Sequence, residues 1–377
     1  MCWPRGVSQK VCAARSAGDR MMTTQANPIL LDGSHGEGGG QILRTALGLS
    51  ALTGKPFAIS NIRAGRKKPG LLRQHLACVK AATAICAAEV RGAEMGSTEL
   101  SFTPNEVTAG RYHFAVGSAG SSTLVLQTIL PPLLLAQGQS GRGSARESVV
   151  SLEGGTHNPF APPVDFLTAA FLPIVKRMGG EVDVAIDRCG FFPAGGGRWT
   201  ATIRPAQKLS PITLNERGEP LRRVARAIVA DLPGEIAKRE LERVEKRLGW
   251  QGDQLQIRQL PQGQGPGNAL MLTLESEHVT EVCTSFGERG VSAENVGDGA
   301  VEQMREYLAA TAPVGEHLAD QLLIPFALAG GGSFTAVKAS LHATTNIDVI
   351  QKFLKVRIDV SPRPGGGCCF VFTAGEK

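Results

Sequence analysis

Seven histidines, one carboxylate set in a glycine run and a knot of cations are the groups of this 377-residue chain that could do chemistry. Glycine lets backbone approach an anion, and a helix that follows offers free N–H groups and a positive dipole end. Segment 36–44, Gly36-Glu37-Gly38-Gly39-Gly40-Gln41-Ile42-Leu43-Arg44, has that form. Glu37 is odd in a loop that holds phosphate alone. A carboxylate beside phosphates brings a divalent metal, which neutralises both. A tight turn with Glu37 in solvent accounts for the spacing equally well. Loop 61–75 concentrates Arg63, Arg66, Lys67 and Lys68 before Pro69-Gly70, then adds Arg73, Gln74 and His75. Such cations repel one another unless an anion compensates, so phosphate contact is favoured over a solvated basic face. Glycine runs at 195–197 and 330–332 are further loops, the second best read as a strand turn. No Walker loop is present, so any ATP site here is of another kind.

A covalent mechanism needs a histidine inside a phosphate pocket. His113 alternates within a strand pattern, and His278 lies among Glu277 and Glu281 at a surface position. His35, His75 and His157 occupy glycine-rich or basic loops, and His317 begins a helix three residues before Asp320. His342 stands in Ser340-Leu341-His342-Ala343-Thr344-Thr345-Asn346, just before the last helix. His157 and His342 each lead into an amphipathic helix at matching places, and pattern alone does not choose between them.

The elements that must position these groups repeat. Leu43-Arg44-Thr45-Ala46-Leu47-Gly48, Leu126-Gln127-Thr128-Ile129-Leu130-Pro131 and Asp320-Gln321-Leu322-Leu323-Ile324-Pro325 align without gaps. Each follows a glycine-containing loop and ends on a helix breaker. Gly70 to Ala87, Pro162 to Met178 and Asn346 to Val356 supply a second helix class. Runs such as Arg111 to Val116 and Cys369 to Phe372 read as strands. The outline is an α/β layer structure built from a repeated unit. Arg44 and Gln127 are 83 residues apart, but Gln127 and Gln321 are 194 apart. An insertion accounts for the excess, and 207–309 is the expected span. It carries a strand at Val224 to Val229 and a charged helix, Ile236 to Leu248, whose Lys and Arg residues read most simply as a solvated face.

Composition bounds the rest. The chain is 42% hydrophobic and 20% charged, a folded protein with a net charge of +6 that permits a polyanionic partner without demanding one. Aromatics are only 5%, so bound nucleic acid is expected to be held through phosphate and sugar more than base faces. The eight cysteines form no C-x-x-C pair, and free thiols in a reducing cytoplasm are expected. No apolar run is long enough for a membrane span. Residues 1–24 lack periodicity and read as an N-terminal extension or an over-assigned start. The repeat unit, 25–206 with 310–377, is expected to be the catalytic part.

Several of these strings resemble one family. Gly36 to Arg44, Ile62-Arg63-Ala64-Gly65-Arg66 with Lys68-Pro69-Gly70-Leu71, and Gly117-Ser118-Ala119-Gly120-Ser121 resemble motifs of RNA 3′-terminal phosphate cyclases. Gly190-Phe191-Phe192-Pro193-Ala194-Gly195-Gly196-Gly197 is similar to the family signature. His317-Leu318-Ala319-Asp320-Gln321 and His342-Ala343-Thr344-Thr345-Asn346 complete the set, in order, from about residue 29 onward. The resemblance implies three repeats of a four-stranded-sheet, two-helix unit with a smaller thioredoxin-like α/β domain inserted. It implies ATP-dependent conversion of an RNA 3′-phosphate to a 2′,3′-cyclic phosphate through a histidine–AMP adduct and an RNA(3′)pp(5′)A intermediate, with Mg²⁺ or Mn²⁺. The nucleophile falls on His342 and the metal carboxylate on Glu37. ATP contacts fall on Arg44, Arg63, Gln74, Gln127, Pro131, His317, Leu318, Ala319, Asp320 and Gln321. The partners implied are ATP, RNA with a 3′-phosphate end and, as an option, a second copy in a homodimer. Two positions depart from the pattern: His317 replaces a frequent aromatic, and Cys189 a frequent basic residue. A non-catalytic relative acting in ribosome assembly and a sugar-phosphate transferase of similar architecture are the competing readings; the presence of His342, Glu37 and the basic loop disfavours the first.

Overall fold

A computed structural model describes residues 27–135 and 146–375. The expected extension at 1–24 lies outside the described residues.

Four four-stranded sheets carry the described chain. The first holds β1 (Ile29–Asp32), β2 (Phe57–Ser60), β3 (Glu89–Arg91) and β4 (Leu100–Thr103), in the order β1-β2-β4-β3. Helix α1 (Gln41–Thr53) joins β1 to β2, and α2 (Arg73–Cys86) joins β2 to β3. A second sheet repeats the order with β5 (Arg111–Ala115), β6 (Ser148–Gly154), β7 (Glu181–Arg188) and β8 (Gly197–Arg204). Its helices are α3 (Thr123–Leu134) and a segment in which α4 (Val164–Phe166) passes through a π-helical turn, Leu167–Phe171, into α5 (Leu172–Arg177). In both sheets the first two strands are parallel and the other pairings antiparallel, as a helical crossover followed by a return strand requires.

Next along the chain comes β9 (Thr213–Leu214), then β10 (Pro220–Ala230), α6 (Gly234–Leu248), β11 (Leu255–Gln259), β12 (Gly267–Ser276), β13 (Thr280–Phe286) and α7 (Ala293–Ala309). Strands β10 to β13 form their own sheet, ordered β11-β10-β12-β13. The chain returns through α8 (Glu316–Ala329), β14 (Gly331–Ala336), α9 (Leu341–Phe353), β15 (Val356–Pro362) and β16 (Cys368–Ala374). Strand β9 pairs in parallel with β14, giving a sheet ordered β9-β14-β16-β15. That is the order of the first two sheets again.

Three expectations change here. Residues 213–214 are bonded to the third sheet, so the chain leaves that sheet after β9 and not at 207. The last helix starts at Leu341, five residues before Asn346, because Ser340 caps it by accepting from Ala343 N–H at 3.0 Å. It ends at Phe353, and Val356 is already strand. The lysines of α6 are exposed, as expected, but its arginines are not a free solvated face. Arg239 pairs with Glu294, Arg243 with Asp298, and Arg247 with Asp298 and Glu302, all on α7.

Buried residues form one large core that runs through the three like sheets, with Leu43, Val125, Trp199, Phe334 and Phe370 fully enclosed. One face of the β10–β13 sheet, through Ile228, Ala230, Met271 and Val282, joins this core. Its other face makes a second core with α6 and α7, including Val229, Val244, Leu272 and Met304.

Candidate active site

The first helix of each like sheet meets the others around one cleft. Gly48 of α1 allows the close approach, since any Cβ there would strike the Thr128 carbonyl of α3. The cleft opens to solvent. Arg44, Gln127, Pro131, Asp320 and Gln321 line it together with Gln41, Thr45 and Asn346. The side-chain amide of Gln127 donates to that of Gln321. Pro131 and Pro325 stand four residues after these glutamines. Proline has no N–H, so the Gln127 and Gln321 carbonyls lose their usual helical donor and are left as acceptors at the cleft wall.

Arg44 faces this cleft. Burial lowers its pKa, against the pull of Asp320. Burial raises the Asp320 carboxyl above its ordinary range, opposed by Gln41, His342 and Arg44.

At the rim the glycine loop meets α9. Gly36 takes a positive φ of 56° directly against the Thr345 side chain, where only glycine fits. The Glu37 N–H donates to Thr345 Oγ1 at 3.1 Å. Glu37 is thereby turned inward. Both its carboxylate oxygens are buried and neither accepts a hydrogen bond among the described residues. Its charged neighbours are Arg66, in direct contact, and His342 Nδ1 at 3.2 Å.

His342 lies in the first turn of α9. Its Nδ1 is 2.6 Å from Gln41 Oε1, and Gln41 Nε2 donates to Asp320 Oδ1 at 2.6 Å. The carboxylate fixes which way the Gln41 amide faces. The amide oxygen then requires a proton on His342 Nδ1, and Nε2 keeps its lone pair. Burial lowers the His342 pKa, Asp320 opposes this, and Arg44 and Arg66 reinforce it. Asn346 Nδ2 donates to Asp320 Oδ1 at 3.5 Å, and Thr45 Oγ1 donates to Asn346 Oδ1 at 2.7 Å. The five side chains form one network from cleft floor to rim.

His157 is different. Its Nε2 lies 3.0 Å from Asp165 and its Nδ1 2.8 Å from Thr156 Oγ1, so both nitrogens are occupied in a buried setting. His75 is also buried. Its Nδ1 accepts from Leu72 N–H at 3.3 Å, and burial with Arg44 and Arg63 nearby pushes it down to about 3. His35 pairs with Asp348 at 2.8 Å on the surface, and His113 and His278 are exposed.

The remaining expected contacts are placed unevenly. Arg63 is buried and donates to the carbonyls of Lys68 and Gly70 at 2.6 and 2.8 Å, so it shapes the basic loop from within. Gln74 accepts from Ser121 N–H at 2.8 Å, joining α2 to the loop before α3. Leu318 and Ala319 are fully buried and do not line the cleft. His317 is exposed and borders a different crevice, shared with Glu281, Cys283, Glu306 and Tyr307. Gln41, Thr45 and Asn346 were missed. Asn346 follows His342 by one helical turn, a relation visible only once the helix is started at Leu341.

A sequence profile of the family described as RNA 3′-terminal phosphate cyclase matches residues 35–360. Proteins named RNA 3′-terminal phosphate cyclase from Koribacter versatilis and Ralstonia nicotianae are 52% and 53% identical to it over 335 and 334 residues. These alignments cover 89% and 88% of this chain and 92% and 93% of the relatives. A protein of the same name from Salmonella typhimurium is 49% identical over 341 residues, covering 90% of this chain and 98% of its own. Matches of this depth, spanning the glycine loop, the cleft helices and α9, leave one conclusion: the chain belongs to the RNA 3′-terminal phosphate cyclase family.

Proposed function

We propose that this protein uses ATP to convert an RNA 3′-terminal phosphate into a 2′,3′-cyclic phosphate, with His342 as the nucleophile. One observation carries the reading: Gln41 holds Nδ1–H of His342, which leaves Nε2 unprotonated at the rim of a cleft lined by the half-buried Arg44. In this scheme Nε2 attacks the α-phosphorus of ATP, an N–P bond forms and diphosphate leaves. An oxygen of the RNA 3′-phosphate then attacks that phosphorus and breaks the N–P bond, giving RNA(3′)pp(5′)A. The neighbouring 2′-oxygen attacks the 3′-phosphorus, its proton is lost, and AMP departs. Ring closure gains from the proximity of the two groups on one ribose.

Arg44, Gln127, Pro131, Asp320 and Gln321 line the place proposed for the adenosine and its first phosphate. Arg63 and Gln74 act on the phosphates by shaping the loops around them, and His317, Leu318 and Ala319 contribute the turn that leads into Asp320. Glu37, whose two buried oxygens accept no hydrogen bond among the described residues and have Arg66 and His342 as their charged neighbours, fits a divalent cation such as Mg²⁺ or Mn²⁺ that displaces Arg66 and takes its other ligands from phosphate and water. Such an ion screens phosphate charge during attack. The described cysteines are all free thiols, which suits a reducing compartment such as the cytoplasm. Among the described residues no helix is long and apolar enough to cross a membrane. We further read the three like sheets as copies of one unit and the β10–β13 sheet as a thioredoxin-like insertion.

Incubation with ATP labelled on the α-phosphate should yield acid-labile protein-bound AMP. His342→Ala should abolish it, and a 3′-phosphorylated oligonucleotide should discharge it to a cyclic end. Equal labelling of His342→Ala overturns the assignment.

A further inference from the structure

We propose that Phe160 and Phe192 form a stacking platform for the bases just upstream of the RNA 3′-phosphate, a proposal that rests on the RNA-cyclising function above. Phe160 is 92% and Phe192 55% exposed, unusual for the largest apolar side chains in a chain so poor in aromatics. Their loops are tied together. The N–H groups of Thr156 and His157 both donate to the Gly190 carbonyl, at 2.8 and 3.0 Å, and the rings of His157 and Phe191 stack with centroids 5.0 Å apart. Phe192 therefore projects from a buried, fixed neighbour, and Phe160 follows the buried His157–Asn158 pair.

Both loops rest on the glycine loop 117–121. Asn158 donates to the Ala119 carbonyl, and the Gly195 Cα lies against Ala119 so closely that a Cβ there would be 3.0 Å from the Ala119 Cα. Loop 117–121 in turn holds the start of α2, through Gln74 at 2.8 Å and Arg73, whose guanidinium donates to the Gly117 carbonyl at 3.1 Å. The next residue, His75, abuts Gly40 in the loop of Glu37. A continuous path thus leads from Glu37 and His342, over the α2 terminus, to the two phenylalanines. The other direction from His342 is the cleft proposed for adenosine, and this path is the route we assign to the RNA end.

The path has the chemistry of a single strand. Lys67, Lys68 and Arg73 are exposed along it, as is Arg66, which also contacts Glu37, and Arg198 stands on β8 beside the signature loop, paired with Glu153 at 3.1 Å but with 63% of its side chain exposed. Cations that follow a phosphate backbone, with aromatic faces beside them, are how single strands are held without sequence preference. The low aromatic content that argued against base stacking is thereby answered: few rings are needed when they stand at the strand's end.

The test is equilibrium binding of a fluorescein-labelled, 3′-phosphorylated RNA oligonucleotide, without ATP, read by anisotropy on the full chain. Phe160→Ala and Phe192→Ala should each weaken binding about tenfold, a typical loss for one base stack. Phe192→Tyr should bind like the parent. An abasic nucleotide at the contacted position should weaken binding to the parent and cost nothing further in the alanine variant. Protein–AMP formation, which needs no RNA, should stay within about twofold. Parent-like binding by both alanine variants overturns the platform, as does an abasic penalty that persists undiminished in them. Failure of the parent to form protein–AMP would instead sink the cyclase reading, and the binding result would remain legible.

Discussion

His342 and His157 lead into helices at matching places, but their surroundings give them different chemistry. His157 spends both nitrogens on Asp165 and Thr156, whereas His342 spends one on Gln41. The sequence could present both histidines, but not this difference, because Gln41 lies 301 positions from His342, while Asp165 and Thr156 are unremarkable near neighbours of His157. Gln41 is the residue on which the distinction turns. Gln41→Ala should slow protein–AMP formation on the order of 100-fold, the scale of losing a group that orients a reactive imidazole; a parent-like labelling rate would remove it from the scheme. Two buried groups set opposite pH limits on stability. His75, held at about 3, favours the folded state above the ordinary histidine pKa of 6.5. That stability is lost as pH falls from 6.5 toward 3, by up to about 1.4 kcal/mol per pH unit. Glu240 is fully buried with one oxygen unpartnered, and burial pushes it up to about 7. Its contribution is fully present below 4.5 and is lost as pH rises through 7. Glu240→Gln should therefore raise the melting temperature at pH 8 and leave it near the parent's at pH 4.5. An equal shift at both pH values would contradict the buried-charge account.

At the scale of elements, the aligned helices were legible because apolar periodicity and terminal prolines or glycines mark them. What could not be read were features that exist only through pairing: the two-residue β9, the π-helical turn before α5, and the ladder between α6 and α7. Arg239, Arg243 and Arg247 looked like a free face because their acidic partners lie on α7, about 50 residues on. The ladder is partly exposed, so screening limits it. Asp298→Ala, which strips two arginines of a partner, should cost about 1 kcal/mol, less in high salt; a salt-independent loss would point to packing. The start of α8 is a second junction. The Gly315 N–H donates to Glu281 Oε2 at 2.8 Å, and a Cβ on Gly315 would press into that carboxylate. Glu281 belongs to β13, while α8 carries Asp320 and Gln321 into the cleft. Gly315→Ala should raise the KM for ATP by roughly tenfold by displacing α8, and Glu281→Ala added to it should restore part of the loss. A parent-like KM in Gly315→Ala would show that α8 absorbs the methyl group.

Across the whole molecule, the spacing of Arg44, Gln127 and Gln321 points to an interruption but says nothing of how the β10–β13 sheet joins the rest. One face of the β10–β13 sheet lies in the same core as Leu43 and Phe334. A chain lacking 219–311 would expose that apolar surface, and it should be recovered mainly as aggregate. The intact protein should unfold in a single calorimetric transition, since the shared core couples the two parts; two resolved transitions would mean the sheet folds independently.

The pairing of β9 with β14 bears on how the chain is made. Thr213 leaves the ribosome long before its partner Ser333, and the sheet they share cannot close until everything between them has emerged and folded aside. Glu37 is then among the first described residues translated and His342 among the last. An unfinished nascent chain can thus hold the glycine loop and basic loop complete before the contacts of Gln41 and Glu37 with His342 can form.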